Sequence, residues 1–316
     1  MTKALIIGAT GFVGSHLAEY LKTLDHVEVW GTKRRRSDLS NLQVGITLID
    51  CEITDYCSVD MVIDQVRPDW IFHLAAQSFV PTSWVAPHLT FETNALAPIN
   101  LFEAVRKIKP DARVQVAGSS EEYGFVAPEE CPITEEQPLR PMSPYGASKA
   151  AMDLLAQQYV RSYGLHIVIT RAFNHTGPRR GEAFVTSNFA KQIAQIEAGT
   201  QEPLVRCGNL DARRDWTDVR DIVKAYVLAI QHCQPGTPYN ICSSRNVRIG
   251  HLLDLLLDIS GVNAGIHPDP KRMRPSDVPL FLGSSKKFRQ LTGWKPTIPF
   301  RQTLQDLLDY WRQRIS

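Results

Sequence analysis

The 316-residue sequence predicts a doubly wound, parallel α/β sheet followed by a smaller, less regular C-terminal lobe. Three observations carry that expectation. The chain opens on a short apolar run, a glycine-rich turn and an amphipathic helical pattern. Strand-length apolar runs then alternate with helical patterns as far as residue 170, the order of a parallel sheet joined by crossover helices. Beyond residue 170 the alternation lapses, and helical segments are divided by proline- and glycine-rich turns. A boundary near 170 therefore separates a first domain, 1–170, from a second lobe, 171–316, with some late segments returning to the main sheet.

Residues 4–7 (ALII) form the first strand and end in Gly8-Ala9-Thr10-Gly11-Phe12-Val13-Gly14, ahead of the helical pattern SHLAEYLKTL. In that context Gly8, Gly11 and Gly14 let backbone N–H groups approach a pyrophosphate, whose charge the helix N-terminus favours. The second strand, Val27–Trp30, leads into Gly31-Thr32-Lys33-Arg34-Arg35-Arg36-Ser37. An NAD-binding unit places a carboxylate about twenty residues past the glycines, on the ribose 2′-hydroxyl. Here that region is basic, and Arg34 and Arg35 suit the 2′-phosphate of NADP through charge-assisted, bidentate bonds. A third strand covers 46–50 and is followed by a helix to about Val66. The fourth strand, WIFHL, ends in Ala75-Ala76-Gln77-Ser78, small residues that let a flat cofactor come close. His73, inside that apolar strand, reads as structural. A helix from about Asn94 to Ile108 precedes the fifth strand, Val114–Ala117.

That strand delivers Gly118-Ser119-Ser120-Glu121-Glu122-Tyr123-Gly124. With the backbone extended, Ser119 and Glu121 point to one side and Ser120 to the other. Tyr145 and Lys149, four residues apart at the head of a helical pattern reaching Val160, project from one helix face. A phenol titrates near pH ~10. An ammonium about 4 Å away supplies roughly 4 kcal/mol at an effective dielectric near 20, about three pKa units. So assisted, Tyr145 can move protons at neutral pH. A sixth strand covers 166–170, and further helices are expected at 186–198, 219–231, 250–260 and 301–314.

Composition narrows the class. Hydrophobic residues make up 43% and charged residues 22%, the balance of a soluble globular protein. A net charge of +2 argues against nucleic acid or a membrane surface as partner. The six cysteines show no CxxC pair and no metal-ligand spacing, and read as reduced thiols of a cytoplasmic protein. No apolar run is long enough to cross a bilayer, and no metal is expected.

Gly8-x-x-Gly11-x-x-Gly14, His73-Leu-Ala-Ala76, Ser119 and Tyr145-x-x-x-Lys149 together resemble the extended short-chain dehydrogenase/reductases that act on nucleotide sugars. The likeness reaches Trp294-Lys295-Pro296. Phe173-Asn174-His175, the stretch from Pro178 through Gly181-Glu182 to Thr186, Gly208 to Trp216, and Arg274 to Val278 resemble the GDP-mannose 4,6-dehydratase branch. Gly118 to Gly124 and Arg140 to Tyr145 are similar also to GDP-4-keto-6-deoxymannose reductases. The resemblance implies NADP contacts from Gly8, Thr10, Gly11, Phe12, Val13, Gly14, Arg34, Arg35, Glu52, Ile53, Leu74, Ala75, Ala76, Tyr145, Lys149, His175 and Arg180. It implies GDP-sugar contacts from Ser78, Ser119, Ser120, Glu121, Asn174, Val185, Lys191, Arg214, Arg274 and Asp277.

The activity implied first is internal redox elimination. Tyr145, supported by Lys149, takes the sugar 4-hydroxyl proton as C4 gives up hydride, and Ser119 bonds that oxygen. Glu121 then removes the C5 proton and assists loss of the C6 hydroxyl. The alternatives are a reductase, which needs no C5 base, and a non-catalytic NADP-binding regulator. Family members pair through the helices expected here at 94–108 and 148–161, with Ala150, Leu154, Leu155 and Val160 as apolar surface, giving a homodimer. The loop holding Arg179 and Arg180 would reach a neighbouring subunit and extend the dimer to a homotetramer.

Overall fold

The computed structural model describes residues 1–272 and 278–315, so the expectations at Arg274 and Asp277 lie outside the described residues. Thirteen strands are described: β1 Thr2–Ile7, β2 Val27–Lys33, β3 Thr47–Asp50, β4 Trp70–His73, β5 Arg113–Ser119, β6 His166–Ala172, β7 Asn174–Thr176, β8 Leu204–Cys207, β9 Arg213–Asp218, β10 Pro238–Ile241, β11 Asn246–Arg248, β12 Gly265–Pro268 and β13 Leu280–Phe281. The helices are α1 Phe12–Lys22, α2 Tyr56–Val66, α3 Val80–Val85, α4 Pro87–Phe91, α5 Ala97–Ile108, α6 Pro144–Tyr163, α7 Val185–Glu197, α8 Val219–His232, α9 Ile249–Ser260, α10 Lys286–Thr292 and α11 Phe300–Ile315. A π-helical turn, Glu92–Leu96, joins α4 to α5.

Seven strands make one parallel sheet in the order β3-β2-β1-β4-β5-β6-β10. The doubly wound class expected from the sequence is thus the class observed. β10 comes from the second half of the chain and extends the sheet beyond β6. Ala4, Leu5, Ile6 and Ile7 are all buried because both faces of β1 are covered. One core packs α1 and α8 on one face; the other packs α2, α5 and α6 on the opposite face. Strand order reverses between β1 and β4, and ligands of such sheets bind at the carboxyl ends beside that switch.

The second half builds its own core from α7, α9 and α11 around Phe189, Trp216, Leu253 and Leu307. Beside it, β9 pairs with β7, β11 and β13, and β8 pairs with β12. Helices were expected at 186–198, 219–231, 250–260 and 301–314, and α7, α8, α9 and α11 fall within a residue or so of them. His73 is sealed inside β4, where burial drives its imidazole down to about 3 and keeps it uncharged.

Candidate active site

The first βα turn is shaped for close approach. Gly8 sits at φ +92, and a Cβ there would meet the Ala75 backbone nitrogen at 3.0 Å. A Cβ on Gly14 would lie 2.2 Å from the Gly8 carbonyl oxygen, so only glycine lets α1 start this tightly against β1. Gly11 caps α1 without a side-chain hydrogen bond, which leaves the N–H groups of the first turn, from Phe12 and Val13 onward, for an anion beside Thr10. Leu74, whose N–H bonds the Ile7 carbonyl at 3.0 Å, and half-buried Ala75 and Ala76 form the adjoining strand end.

At the tip of β2, Arg34, Arg35 and Arg36 line an open cavity of roughly 660 Å³ with Glu52. The three guanidinium groups and one carboxylate fit a phosphate carried beside ribose hydroxyls. The Ile53 carbonyl, next in the chain after Glu52, accepts from Asn100 Nδ2 at 2.9 Å. Arg36 joins the group and was not assigned to a site from sequence, since three consecutive arginines give no signal of which ones turn inward. At the other end, His175 stacks on Phe12 at 6.1 Å, and burial first, then Arg180, push it down to about 4. The Arg180 guanidinium lies 4.9 Å from the Phe12 ring centroid and 3.5 Å from that of Phe184, with burial driving it down to about 10.

β5 ends at Ser119, and the chain turns at once into a 3₁₀ segment, Ser120–Glu122. The extended continuation expected from the sequence does not occur, because Ser119 caps the turn. Its Oγ accepts the Glu121 N–H at 3.2 Å, and the Glu122 carboxylate accepts the Ser119 N–H at 2.6 Å. Glu121 is thereby carried to the adjoining cavity, whereas Ser120 is buried in the turn. Ser143 caps α6 by accepting the Gly146 N–H at 3.0 Å, which sets Tyr145 in the first helical turn and Lys149 one turn on.

Ser119, Tyr145 and Lys149 are all buried, 8%, 9% and 5% exposed, and the Ser119 hydroxyl bonds the Tyr145 phenol. Lys149 follows Tyr145 one turn on in α6, and the backbone holds its ammonium. Lys149 Nζ donates to the Ala117 carbonyl at 2.8 Å, and burial pushes the ammonium down to about 8. Burial drives the Tyr145 phenol up to about 12; the Ser119 hydroxyl pulls the other way, Glu121 and Glu122 raise it, and Arg180 lowers it. Burial thus disfavours a phenolate here more than its neighbours favour one.

Against Glu121 opens a second cavity of roughly 590 Å³, lined among others by Phe79, Trp84, Asn174, Val185, Arg214 and Arg272. Of the residues expected at the sugar nucleotide, Asn174, Val185 and Arg214 line this cavity, and Lys191 pairs with Glu182, its ammonium 5.3 Å from the Trp311 ring centroid. Exposed Ser78 stops one residue short of the lining at Phe79. The Phe79–Trp84 wall and Arg272 were missed, since an irregular segment offers no periodicity to read.

Arg179 is 8% exposed and binds Glu19 at 2.5 Å and Gln43 at 2.9 Å within its own chain. Of the apolar surface expected on α6, Ala150 is buried, and Leu155 and Val160 pack into the core; Leu154 remains 58% exposed, with Leu96 and Tyr163 at 56% and 52%. Among the described residues no helix is long and apolar enough to cross a membrane.

Comparison with known proteins places this geometry in a family. The GDP-mannose 4,6 dehydratase family profile matches residues 5–307. The GDP-6-deoxy-D-mannose reductase of Pseudomonas aeruginosa is 33% identical over 100% of this chain and 99% of its own. GDP-mannose 4,6 dehydratase 2 of Arabidopsis thaliana is 34% identical over 97% of this chain and 86% of its own. A solved structure of RMD from Pseudomonas aeruginosa complexed with NADPH superimposes with a TM-score of 0.88 at 31% identity, covering 99% of this chain and 100% of that one. The chain belongs to the GDP-mannose 4,6-dehydratase family, within the short-chain dehydrogenase/reductase enzymes of nucleotide-sugar chemistry.

Proposed function

We propose that the protein reduces the C4 ketone of a GDP-4-keto-6-deoxy sugar with NADPH. This reverses the order of preference drawn from the sequence motifs, which put the dehydratase first. The carrying observation is the end-to-end correspondence with the reductase, 99% of whose length is matched, where the Arabidopsis dehydratase is matched over 86%.

The cradle at Gly8–Gly14, the strand end at Leu74–Ala76 and the arginines at 34–36 would hold NADPH, which supplies the hydride. Ser119 hydrogen-bonds the ketone oxygen and Tyr145 gives it a proton as negative charge develops. The Lys149 ammonium, buried nearby, favours the phenolate left behind. Asn174, Arg214 and Arg272 line the cavity that would take the nucleotide diphosphate, whose charge needs cations. A homodimer through α6 and the π-turn region, with Leu96, Leu154 and Tyr163 at its centre, accounts for the exposed apolar groups; sedimentation as a monomer at micromolar concentration would reject it.

One observation favours the dehydratase as a second reading: Glu121 faces the cavity, where a C5 base has to be. The assay offers purified protein GDP-mannose without reductant, and separately GDP-4-keto-6-deoxymannose with NADPH. The proposal expects NADPH consumption only in the second. Conversion of GDP-mannose alone, with solvent deuterium entering C5, replaces it with the dehydratase.

A further inference from the structure

Glu122 follows the cavity-facing Glu121 yet has no exposed surface. Its Oε1 accepts the Ser119 N–H at 2.6 Å, and its Oε2 lies 3.3 Å from Arg171 Nε without the alignment of a hydrogen bond. Asp153 of α6 holds the same guanidinium properly, accepting from Arg171 Nε at 2.8 Å and from Gln157 Nε2 at 2.6 Å. Two carboxylates therefore share one guanidinium where Glu122 and Asp153 are 0% and Arg171 3% exposed. A second buried anion without its own counter-ion is unfavourable, and such a group takes up a proton instead. Asp153 has the aligned donors, so the proton belongs on Glu122.

The other titratable groups facing this point do not alter the count. The Tyr123 hydroxyl accepts from Arg171 Nη1 at 3.1 Å and donates to Asn240 Oδ1 at 2.7 Å. Lys149 is bonded to the Ala117 carbonyl and feels the Glu122 charge without closing an ion pair with it, and the Tyr145 phenol and Glu121 carry no positive charge. Burial, then the Asp153 charge, hold the Glu122 carboxyl well above the usual carboxylate range, in keeping with the geometry.

We propose that Glu122 is a neutral carboxylic acid and a positioning residue: one oxygen accepts the Ser119 N–H, the other donates its proton to the Asp153 carboxylate, and together they fix the Ser119 hydroxyl. The proposal rests on the role given above to Ser119, which reduction and dehydration share. It therefore stands apart from the choice between those two reactions.

Glu122→Gln reproduces both bonds, its carbonyl accepting and its amide donating, whereas Glu122→Leu keeps the bulk and loses both. E122Q is expected to keep kcat within about threefold of wild type, and E122L to lose tenfold or more in kcat with KM little changed. Infrared difference spectra at neutral pH should carry the C=O stretch of a protonated carboxylic acid in the wild type and lose it in E122Q. This readout needs no substrate, so it holds if the proposed reaction is wrong or if E122L fails to fold. An E122Q enzyme as impaired as E122L, a fully active E122L, or a wild type without the infrared band overturns the proposal.

Discussion

Raising the pH should switch the enzyme off through Lys149. Burial moves its ammonium from 10.5 to about 8, opposed only by the Glu122 charge. At about 1.36 kcal/mol per pKa unit, that displacement disfavours the buried charge by about 3 kcal/mol. The sign is set by the proton: as pH rises through about 8 the ammonium becomes a neutral amine, and the phenolate formed at Tyr145 loses its counter-charge. With Glu122 neutral the opposing pull vanishes, so the limb falls no higher than about pH 8. The assay is the rate of NADPH oxidation from pH 6 to pH 10 at saturating keto-sugar, with Lys149→Arg beside it. The guanidinium does not titrate there, so whatever activity K149R retains should lack the alkaline limb. Wild-type turnover that stays flat to pH 10, or a limb that persists unchanged in K149R, would refute the reasoning.

Three further outcomes follow from the same geometry. Glu121→Gln should leave ketone reduction within about threefold of wild type; a loss of about 10²–10⁴ in the conversion of GDP-mannose would identify a base. Arg35→Ala should weaken NADPH binding by about ten- to a hundredfold, the worth of one charge-assisted contact, and leave NADH binding unchanged in a fluorescence titration. Equal losses for both would restrict the arginine to loop structure. Gly118→Ala introduces a Cβ 2.7 Å from Glu122 Oε1 and 2.9 Å from the Thr170 carbonyl oxygen. That should cost about 1–3 kcal/mol, seen as a lower Tm together with lost turnover, and an unaltered Tm would contradict the packing.

The first half was legible because each of its elements answers to a local rule. β1 is an unbroken apolar run since both faces are covered, and Gly8 and Gly14 follow from backbone contacts that exclude a Cβ. The small strands β7, β9, β11 and β13 escaped notice because each is two to six residues long and gains its partners from distant segments. Helices α3 and α4 were missed for a related reason: at six and five residues, prolines at their starts, they carry no readable period. The cavity wall at Phe79–Trp84 went with them.

Electrostatics was the least legible layer, and Tyr145 explains why. Spacing placed Lys149 on the correct helix face, yet nothing in the spacing reveals that the Ala117 carbonyl would claim its ammonium. Nor can four residues of helix report that both groups would be 5–9% exposed. Burial acts on the phenol and the ammonium in opposite senses, raising the one to about 12 and lowering the other to about 8. Glu121 and Glu122 make the same point within one dipeptide. Capping by Ser119 turns the chain so that one carboxylate meets the cavity and its neighbour meets Arg171. The sequence named Glu121 as the candidate base and gave Glu122 no role; the turn is what sets Glu122 against Arg171.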